Sequence, residues 1–253
     1  MTDLTHIFGI QFVLVSLRYL LFAGVAYAIV WGLLSKKLER RRIQKSGKAA
    51  PLNIRGELKY AISTTFVFTF TGVAIVCAAQ HGYTRMYSDI HEHGGVLYVG
   101  LSLVISILIH DAYFYFTHRA MHHPKIFRMI HAVHHRSRNP SPWAAYSFHP
   151  LEALIQAAIL PILVFTIPLH GVTIVLFLTY VMVLNVLGHL GYELFSKTWA
   201  RSHLTNWHNT ATHHTQHHQT FKYNFSLYFN WWDKWLGTNH PQYMEYYDEV
   251  LRR

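Results

Sequence analysis

Long apolar runs constrain the fold of this chain more than any other feature. They cover residues 7–34, 60–79, 96–117, 151–168 and 171–192. A helix of about 20 apolar residues crosses a bilayer and satisfies its own backbone hydrogen bonds there. Charged residues make up only 13% of the chain, whereas a soluble domain has about 25%. We therefore predict an all-α integral-membrane helical bundle with about four to five apolar spans, the last two forming a hairpin.

Basic residues lie beside these runs and predict the topology. Residues 35–48 carry seven lysines and arginines against one acid, Glu39, so the positive-inside rule places this segment in the cytoplasm. Residues 81–95 then lie outside, and the basic residues 119–150 are again cytoplasmic. The net charge of +10 raises nucleic-acid binding as an alternative. We expect no nucleic-acid partner, because the positive charge adjoins apolar spans.

Histidines at helical spacing form the second strong signal. An HxxxH is followed by two HxxHH groups, and one further histidine ends the last apolar run: His118 and His122; His131, His134 and His135; His214, His217 and His218; and His189. Side chains three or four residues apart on a helix share a face, so each group can direct imidazoles at one point. One metal takes about four to six ligands, and imidazole suits iron, zinc and copper. Nine histidines on the cytoplasmic side therefore predict a dimetal site in a cytoplasmic helical cap.

Three segments carry a resemblance to a known family. They are HDAYFYFTHRAMHHPKIFRMIHAVHH (110–135), SPWAAYSFHPLEA (141–153) and HHTQHHQTFKYNFSLYFNWWDKWLGT (213–238). Together they resemble the fatty acid hydroxylase/sterol desaturase superfamily of membrane enzymes with histidine boxes. The resemblance covers roughly residues 96–240, which we assign to a catalytic domain. Residues 1–95 would then hold the membrane anchor helices with the basic loop, and residues 241–253 a C-terminal tail.

The resemblance implies a function and its cofactors. Members are non-haem diiron enzymes, so it implies two iron ions per chain, O2 as co-substrate and a lipid substrate of the sterol, fatty acyl or sphingolipid type. Electrons would come from an external donor of the cytochrome b5, ferredoxin or reductase type, because the sequence contains no nucleotide-binding GxGxxG after a strand. The stretch at 141–153 is closest to the sterol-desaturase branch. Hydroxylation and desaturation both stay open, with a slight preference for hydroxylation.

Four residues are candidates for supporting the metal ligands. Asn185 lies four residues before His189 at a position where related enzymes have a further ligand, although a helix–helix hydrogen bond explains it equally well. Glu193 lies four residues after His189 and could orient that ring. Asp111 ends an apolar span, where a carboxylate needs a partner; it could accept a hydrogen bond from a ligand imidazole, although capping or a salt bridge with Arg119 explains it equally well. His149 matches a recurrent feature of the family and precedes Pro150 at a helix start.

Three further histidines have no role assigned from the sequence. His110 lies about two helical turns before His118, which favours the substrate side over metal ligation, and the roles of His208 and His213 stay open. The sequence departs from the family pattern at residues 222–233, where many members read NYG. Asn224 and Asp233 match the family there and Phe225 and Ser226 do not, a departure that concerns the loop near the site and not the ligands.

Two other classes of protein compete with a lipid oxygenase. A membrane metal transporter should place its histidines mid-span, along a pathway through the bilayer. A zinc-dependent membrane hydrolase should carry three ligands and a general base, as in HExxH, which is missing from the sequence. We expect a multi-pass protein of the bacterial inner membrane with its site on the cytoplasmic face; the endoplasmic reticulum membrane is the alternative.

Overall fold

The computed structural model describes residues 3–45 and 52–253 and is mostly helical. The helices and the two short strands follow the chain in this order: α1 Leu4–Leu33, α2 Ile54–Gln80, β1 Met86–Tyr87, α3 Val96–Met121, α4 Pro124–Ile130, α5 Pro150–Ala157, α6 Ile159–Thr166, β2 Leu169–His170, α7 Gly171–Gly188, α8 Ala211–Thr220, α9 Trp231–Trp235 and α10 Tyr243–Leu251. The second half of α1 consists of π-helical turns. The predicted all-α class is confirmed.

Four helices are long and apolar enough to cross a membrane: α1, α2, α3 and α7. They contain 30, 27, 26 and 18 residues, with mean hydropathies between 1.8 and 2.1. Leucines such as Leu14, Leu17 and Leu21 stay more than half exposed on α1, as expected for side chains that face lipid instead of a protein core. The prediction of a multi-pass membrane bundle is therefore confirmed.

The fifth apolar run forms two short helices instead of one span. Helices α5 and α6 together cover Pro150–Thr166 and are separated at Ala158. Pro161 explains the break, because its ring lacks an N–H and clashes with the carbonyl four residues earlier. The run still forms the first arm of the predicted hairpin. It leads to β2, which pairs in parallel with β1 in the loop between α2 and α3, and α7 then returns.

The N-terminal helices share a core with the rest of the bundle. Tyr19 of α1 stacks on Tyr146 with ring centroids 4.8 Å apart, and its hydroxyl donates to the carbonyl of Trp143 over 2.9 Å. Met182 and Val186 of α7 belong to the same buried cluster. Residues 142–146, a short 3-10 turn, are thus wedged between α1, α2 and α7. The predicted anchor helices therefore pack directly on the part of α7 that lies just before His189.

The basic segment after α1 lies at the same end of the bundle as the histidines. The Ile43 N–H donates to the Gly191 carbonyl over 3.0 Å, and the Arg41 guanidinium donates to the Phe195 carbonyl over 2.7 Å. Gly191 comes two residues after His189. Lys48, the last basic residue of the predicted loop, lies outside the described residues.

Candidate metal centre

Helix α3 carries the first histidine pair to the end of the bundle. His118 lies in its last turn and His122 is its C-cap residue, so the two imidazoles point the same way. The helix ends there because Pro124 follows, and the residue before a proline disfavours helical backbone. Ring centroids of the pair lie 5.0 Å apart.

The first HxxHH group is split by a change of helix type. His131 caps the short helix α4, and His134 and His135 begin a single 3-10 turn. A regular helix over 131–135 would keep all three rings near one face. In the structure His135 turns to the side of His131, with the two Nε2 atoms 3.1 Å apart, whereas His134 points to the other side, towards His189.

The second HxxHH group lies on a regular helix. Its first and third histidines point to the side that His134 faces, and its middle histidine points to the side of His131 and His135. Thr210 caps α8 by accepting from the His213 N–H over 3.2 Å. His214 and His218 are four residues apart and share a face, with Nε2 atoms 3.2 Å apart. His217 follows His214 by three residues, but its Nε2 atom lies beside that of His135, 3.1 Å away.

All nine predicted histidines fall into two neighbouring clusters. The five-histidine cluster contains His118, His122, His131, His135 and His217, and the four-histidine cluster contains His134, His189, His214 and His218. Within each cluster the nitrogen atoms that face one another lie within 4.8 Å. The clusters adjoin through His135 and His218, whose ring centroids are 4.7 Å apart.

Hydrogen bonds on the outer side of the rings fix which nitrogen faces inward. The Nδ1 atoms of His118 and His217 lie 2.7 Å from the carbonyl oxygens of Phe225 and Tyr223. The same atom of His189 lies 2.8 Å from the Asn185 carbonyl. A carbonyl only accepts, so each Nδ1 carries the proton and each Nε2 presents a lone pair to the cluster.

Burial keeps these rings neutral. It lowers the pKa of His122 to about 2 and that of His189 to about 4. Burial also brings the pKa of six others well below the usual range, with neighbouring imidazoles lowering it further: His131, His134, His135, His214, His217 and His218. Neutral imidazole is the form that binds metal.

The arrangement fits a metal ion in each cluster. Several lone pairs directed at one point some 3 Å apart repel one another unless a cation lies between them. Neither cluster contains a thiolate or carboxylate among the described residues, so the donors are those of iron, zinc or copper sites.

A large apolar cavity adjoins the four-histidine cluster. Its volume is about 700 Å³, and it is lined by side chains of α1, α2, α3, α5, α6 and α7. Two of its lining residues reach the cluster: Phe148 lies 5.2 Å from the His134 ring, and Asn185 accepts from His189. None of the nine histidines is among the described lining residues, so this apolar space ends one residue short of the four-histidine cluster.

Comparison with known proteins decides the family. The family model for fatty acid hydroxylase matches residues 103–238. The chain is 27% identical to the Delta(7)-sterol 5(6)-desaturase erg3C of Aspergillus fumigatus over 241 residues, which cover 87% of this chain and 71% of the relative. It is 30% identical to lathosterol oxidase of Mus musculus, over 74% of this chain and 64% of the relative. The chain belongs to the fatty acid hydroxylase family.

The human lathosterol oxidase is a further relative, at 28% identity over 73% of this chain and 60% of the relative's length. The chain thus spans roughly two thirds of these relatives. No solved structure gives a significant match. The family match and the sterol-desaturase relatives support the predicted class, a lipid oxidoreductase that uses O2.

The loop that departs from the usual family pattern supports the histidines through its backbone. Phe225 and Tyr223 offer their carbonyl oxygens to His118 and His217. Asp233 holds the loop by accepting from the N–H groups of Phe225 and Ser226 over 2.9 and 2.8 Å. The Phe225 ring is also buried and lies 5.2 Å from the ring of His122, so this loop contributes both backbone and side chain to the wall of the five-histidine cluster.

Glu152 is the supporting residue that sequence reasoning missed. Its carboxylate is fully buried and accepts from His131 Nδ1 over 2.7 Å, and such a bond orients a metal-binding imidazole. A signal was present in the sequence: Glu152 is an acid inside the apolar run 151–168, where a carboxylate needs a partner.

The four predicted supporting residues hold the frame of the site. Asp111 accepts from the Tyr228 and Phe229 N–H groups, both over 3.3 Å, and so fixes the loop after α8. Glu193 accepts from the N–H and hydroxyl of Thr212 at the start of α8, not from His189.

Asn185 contacts His189 only through its backbone carbonyl, and its side chain donates to the Ala145 carbonyl over 2.8 Å. His149 caps α5 by accepting from the Leu151 N–H over 3.3 Å and lies outside both clusters.

The remaining histidines also lie outside the clusters. His110 lines the cavity, and its Nδ1 lies 2.6 Å from the Tyr228 hydroxyl. His208 bonds the Asn209 carbonyl and His213 bonds the Asn239 amide oxygen. The loop at 81–95 lies at the far end of the bundle, beside β2.

Proposed function

We propose that this protein is a membrane-bound, non-haem diiron oxidoreductase that uses O2 to desaturate or hydroxylate a lipid, with electrons from an external donor. The observation that carries the proposal is the pair of adjoining clusters of buried, neutral imidazoles beside an apolar cavity. The nine histidines of the two clusters are the proposed ligands. When bound, two iron ions supply the redox chemistry that reduces O2 and oxidises an unactivated C–H bond.

The chain's own contribution is orientation and exclusion of water. The carbonyls of Tyr223, Phe225 and Asn185 and the carboxylate of Glu152 hold the rings with Nε2 inward, so little rearrangement is needed when metal binds. Every proposed ligand except His122 is buried, which protects a reactive oxidant from solvent.

A sterol-type lipid is the substrate class we propose to test first. The cavity is large, apolar and within the membrane-spanning part of the bundle, and the fungal and mammalian relatives are named for sterols. Those names favour desaturation, whereas the name of the family model favours hydroxylation. Both reactions begin by removing a hydrogen atom from carbon, and placement of the substrate decides between them.

We place the metal centre on the cytoplasmic side. The basic residues 35–45 bond to residues 191–195 at the end of the bundle that holds the clusters, and the positive-inside rule assigns such a segment to the cytoplasm. The Aspergillus and mouse relatives are eukaryotic proteins and give no support to a bacterial inner membrane. They agree better with the alternative, the endoplasmic reticulum.

Turnover tests the proposal. Protein loaded with Fe(II) in lipid nanodiscs is supplied with a Delta(7)-sterol, an electron-transfer system and O2, and products are analysed by mass spectrometry. We expect a product that has lost two hydrogen atoms or gained one oxygen atom, formed only with O2 and reductant. Product formation without O2 would overturn the proposal and favour a hydrolase.

A further inference from the structure

Arg18 is an unpaired cation in the middle of a membrane-spanning helix. It is residue fifteen of the 30 in α1, so about 21 Å of helix lie on each side of it. That distance exceeds the length of an arginine side chain, which therefore cannot reach the headgroups from a centred helix. Arginine at such a depth is costly unless something pairs with it.

The described residues of the protein supply no partner for Arg18. In the part of the chain that the structure describes, Arg18 forms no ion pair, and its Nε atom is buried without a hydrogen bond. The buried acids of the bundle are engaged elsewhere: Glu57 with Ser141, Asp111 with the backbone after α8, and Glu152 with His131.

Arg18 lines the cavity beside the four-histidine cluster and is the one charged side chain among its described lining residues. Other polar groups of the lining, such as the Asn185 amide and the His110 ring, bond to protein atoms. Gln11 and Gln156 add amide groups to the lining, but the guanidinium is the charged donor of this mostly apolar space and has no acceptor among the described residues. A ligand that brings an oxygen atom into this cavity would satisfy it.

Packing sets the height of Arg18 relative to the metal centre. Val15 and Tyr19 share a buried cluster with Met182 and Val186 of α7, whereas Trp31, thirteen residues after Arg18, donates to the carbonyl of Leu190 next to His189. Thirteen residues of helix are about 20 Å long, so Arg18 lies deeper in the bundle than the metal centre. A lipid bonded to Arg18 would thus present carbons some distance from its polar end to the imidazole clusters.

We propose that Arg18 binds the polar oxygen of the lipid substrate, a hydroxyl or a carboxylate, and thereby fixes which carbons further along the lipid lie beside the imidazole clusters. The part of this inference that concerns oxidation rests on the proposed function. The part that concerns lipid binding by Arg18 does not. Both oxygen types accept hydrogen bonds from a guanidinium, and the two arms of the test distinguish them.

Equilibrium binding to the purified protein in detergent tests the proposal without iron or O2. One arm compares cholestanol with cholestane, which differ by the hydroxyl group, and the other compares stearate with octadecane. The variants are Arg18→Met, which keeps an unbranched apolar stem and removes the charge, and Arg18→Lys, which keeps the charge. Leu20→Met, at an exposed position of α1 outside the cavity lining, is the matched control.

We expect wild type and Leu20→Met to bind one oxygen-bearing lipid about 10- to 100-fold more tightly than its hydrocarbon counterpart, the range for a hydrogen bond to a charged group. Arg18→Met should lose this discrimination, and Arg18→Lys should keep part of it. Unchanged discrimination in Arg18→Met, or none in wild type, would overturn the proposal.

Turnover then separates this inference from the proposed function. If wild type oxidises a lipid while Arg18→Met binds and oxidises it at the same carbon with unchanged KM, the enzyme assignment stands and the role of Arg18 falls. If wild type discriminates through Arg18 but no lipid is oxidised, the binding role stands and the oxidoreductase assignment falls.

Discussion

Replacing Glu152 by glutamine tests how the protein prepares its imidazoles for metal. The Glu152 carboxylate is fully buried and accepts from His131 Nδ1 over 2.7 Å. Glutamine keeps the shape and an accepting oxygen, removes the charge, and places an amide N–H2 at the position of Oε2, which is buried without a hydrogen-bond partner among the described residues. His131 belongs to the five-histidine cluster, and the effect should be confined to the metal bound there.

The expected magnitude follows from the type of hydrogen bond. A bond to a charged group contributes about 1.5–3 kcal/mol and a neutral one about 0.5–1.5 kcal/mol. The change to glutamine should therefore weaken metal binding in the five-histidine cluster by about 1–1.5 kcal/mol, or about 5- to 13-fold. Glu152→Ala removes the acceptor altogether, and about 10- to 100-fold weaker binding is expected.

The assay is metal content per chain after dialysis against a series of chelator concentrations. Wild type should release its two metals at higher chelator than Glu152→Gln, which should lose one metal early and keep the other. Glu57→Gln is the matched control, since Glu57 is equally buried but bonds Ser141 instead of an imidazole. Metal retention equal to wild type in Glu152→Gln, or equal loss in both glutamine variants, would refute the reasoning.

Three further predictions follow from the same structure. His134→Ala and His217→Ala, one from each cluster, should each lower bound metal and abolish lipid oxidation; full activity in either would contradict the ligand set. The native pKa of His189 is about 4 against 6.5 unperturbed, so below pH 6.5 the unfolded chain binds more protons and stability and metal content should fall progressively towards pH 4, as followed by thermal melts and elemental analysis. In a variant lacking Cys77, cysteine at position 45 should react with an impermeant thiol reagent only from the cytoplasmic side, and cysteine at Ser88 only from the other.

The membrane fold was largely predictable, because hydropathy and helix length are local properties of the sequence. Four of the five apolar runs became spanning helices, and the fifth was divided where Pro161 prevents a continuous helix. The short parallel pairing of β1 with β2 could not be predicted, since it depends on two loops that meet only in the folded bundle.

The sequence predicted which histidines form the site, but not how they divide into two clusters. Spacing brought out the nine histidines, yet the 3-10 turn at His134 sends that ring away from His131 and His135. Backbone carbonyls such as that of Phe225 leave no trace in the sequence, because any residue provides one. Glu152 and Arg18 are visible in the sequence as charged residues within apolar runs, but the groups that surround them depend on tertiary packing.

The metal content of the purified protein tests the central claim most directly. Protein prepared in detergent under reducing, anaerobic conditions is analysed for iron, zinc and copper per chain. The account predicts about two iron ions per chain in wild type and fewer in His134→Ala and His217→Ala. A folded, active protein with one zinc ion, or with no bound metal, would contradict it.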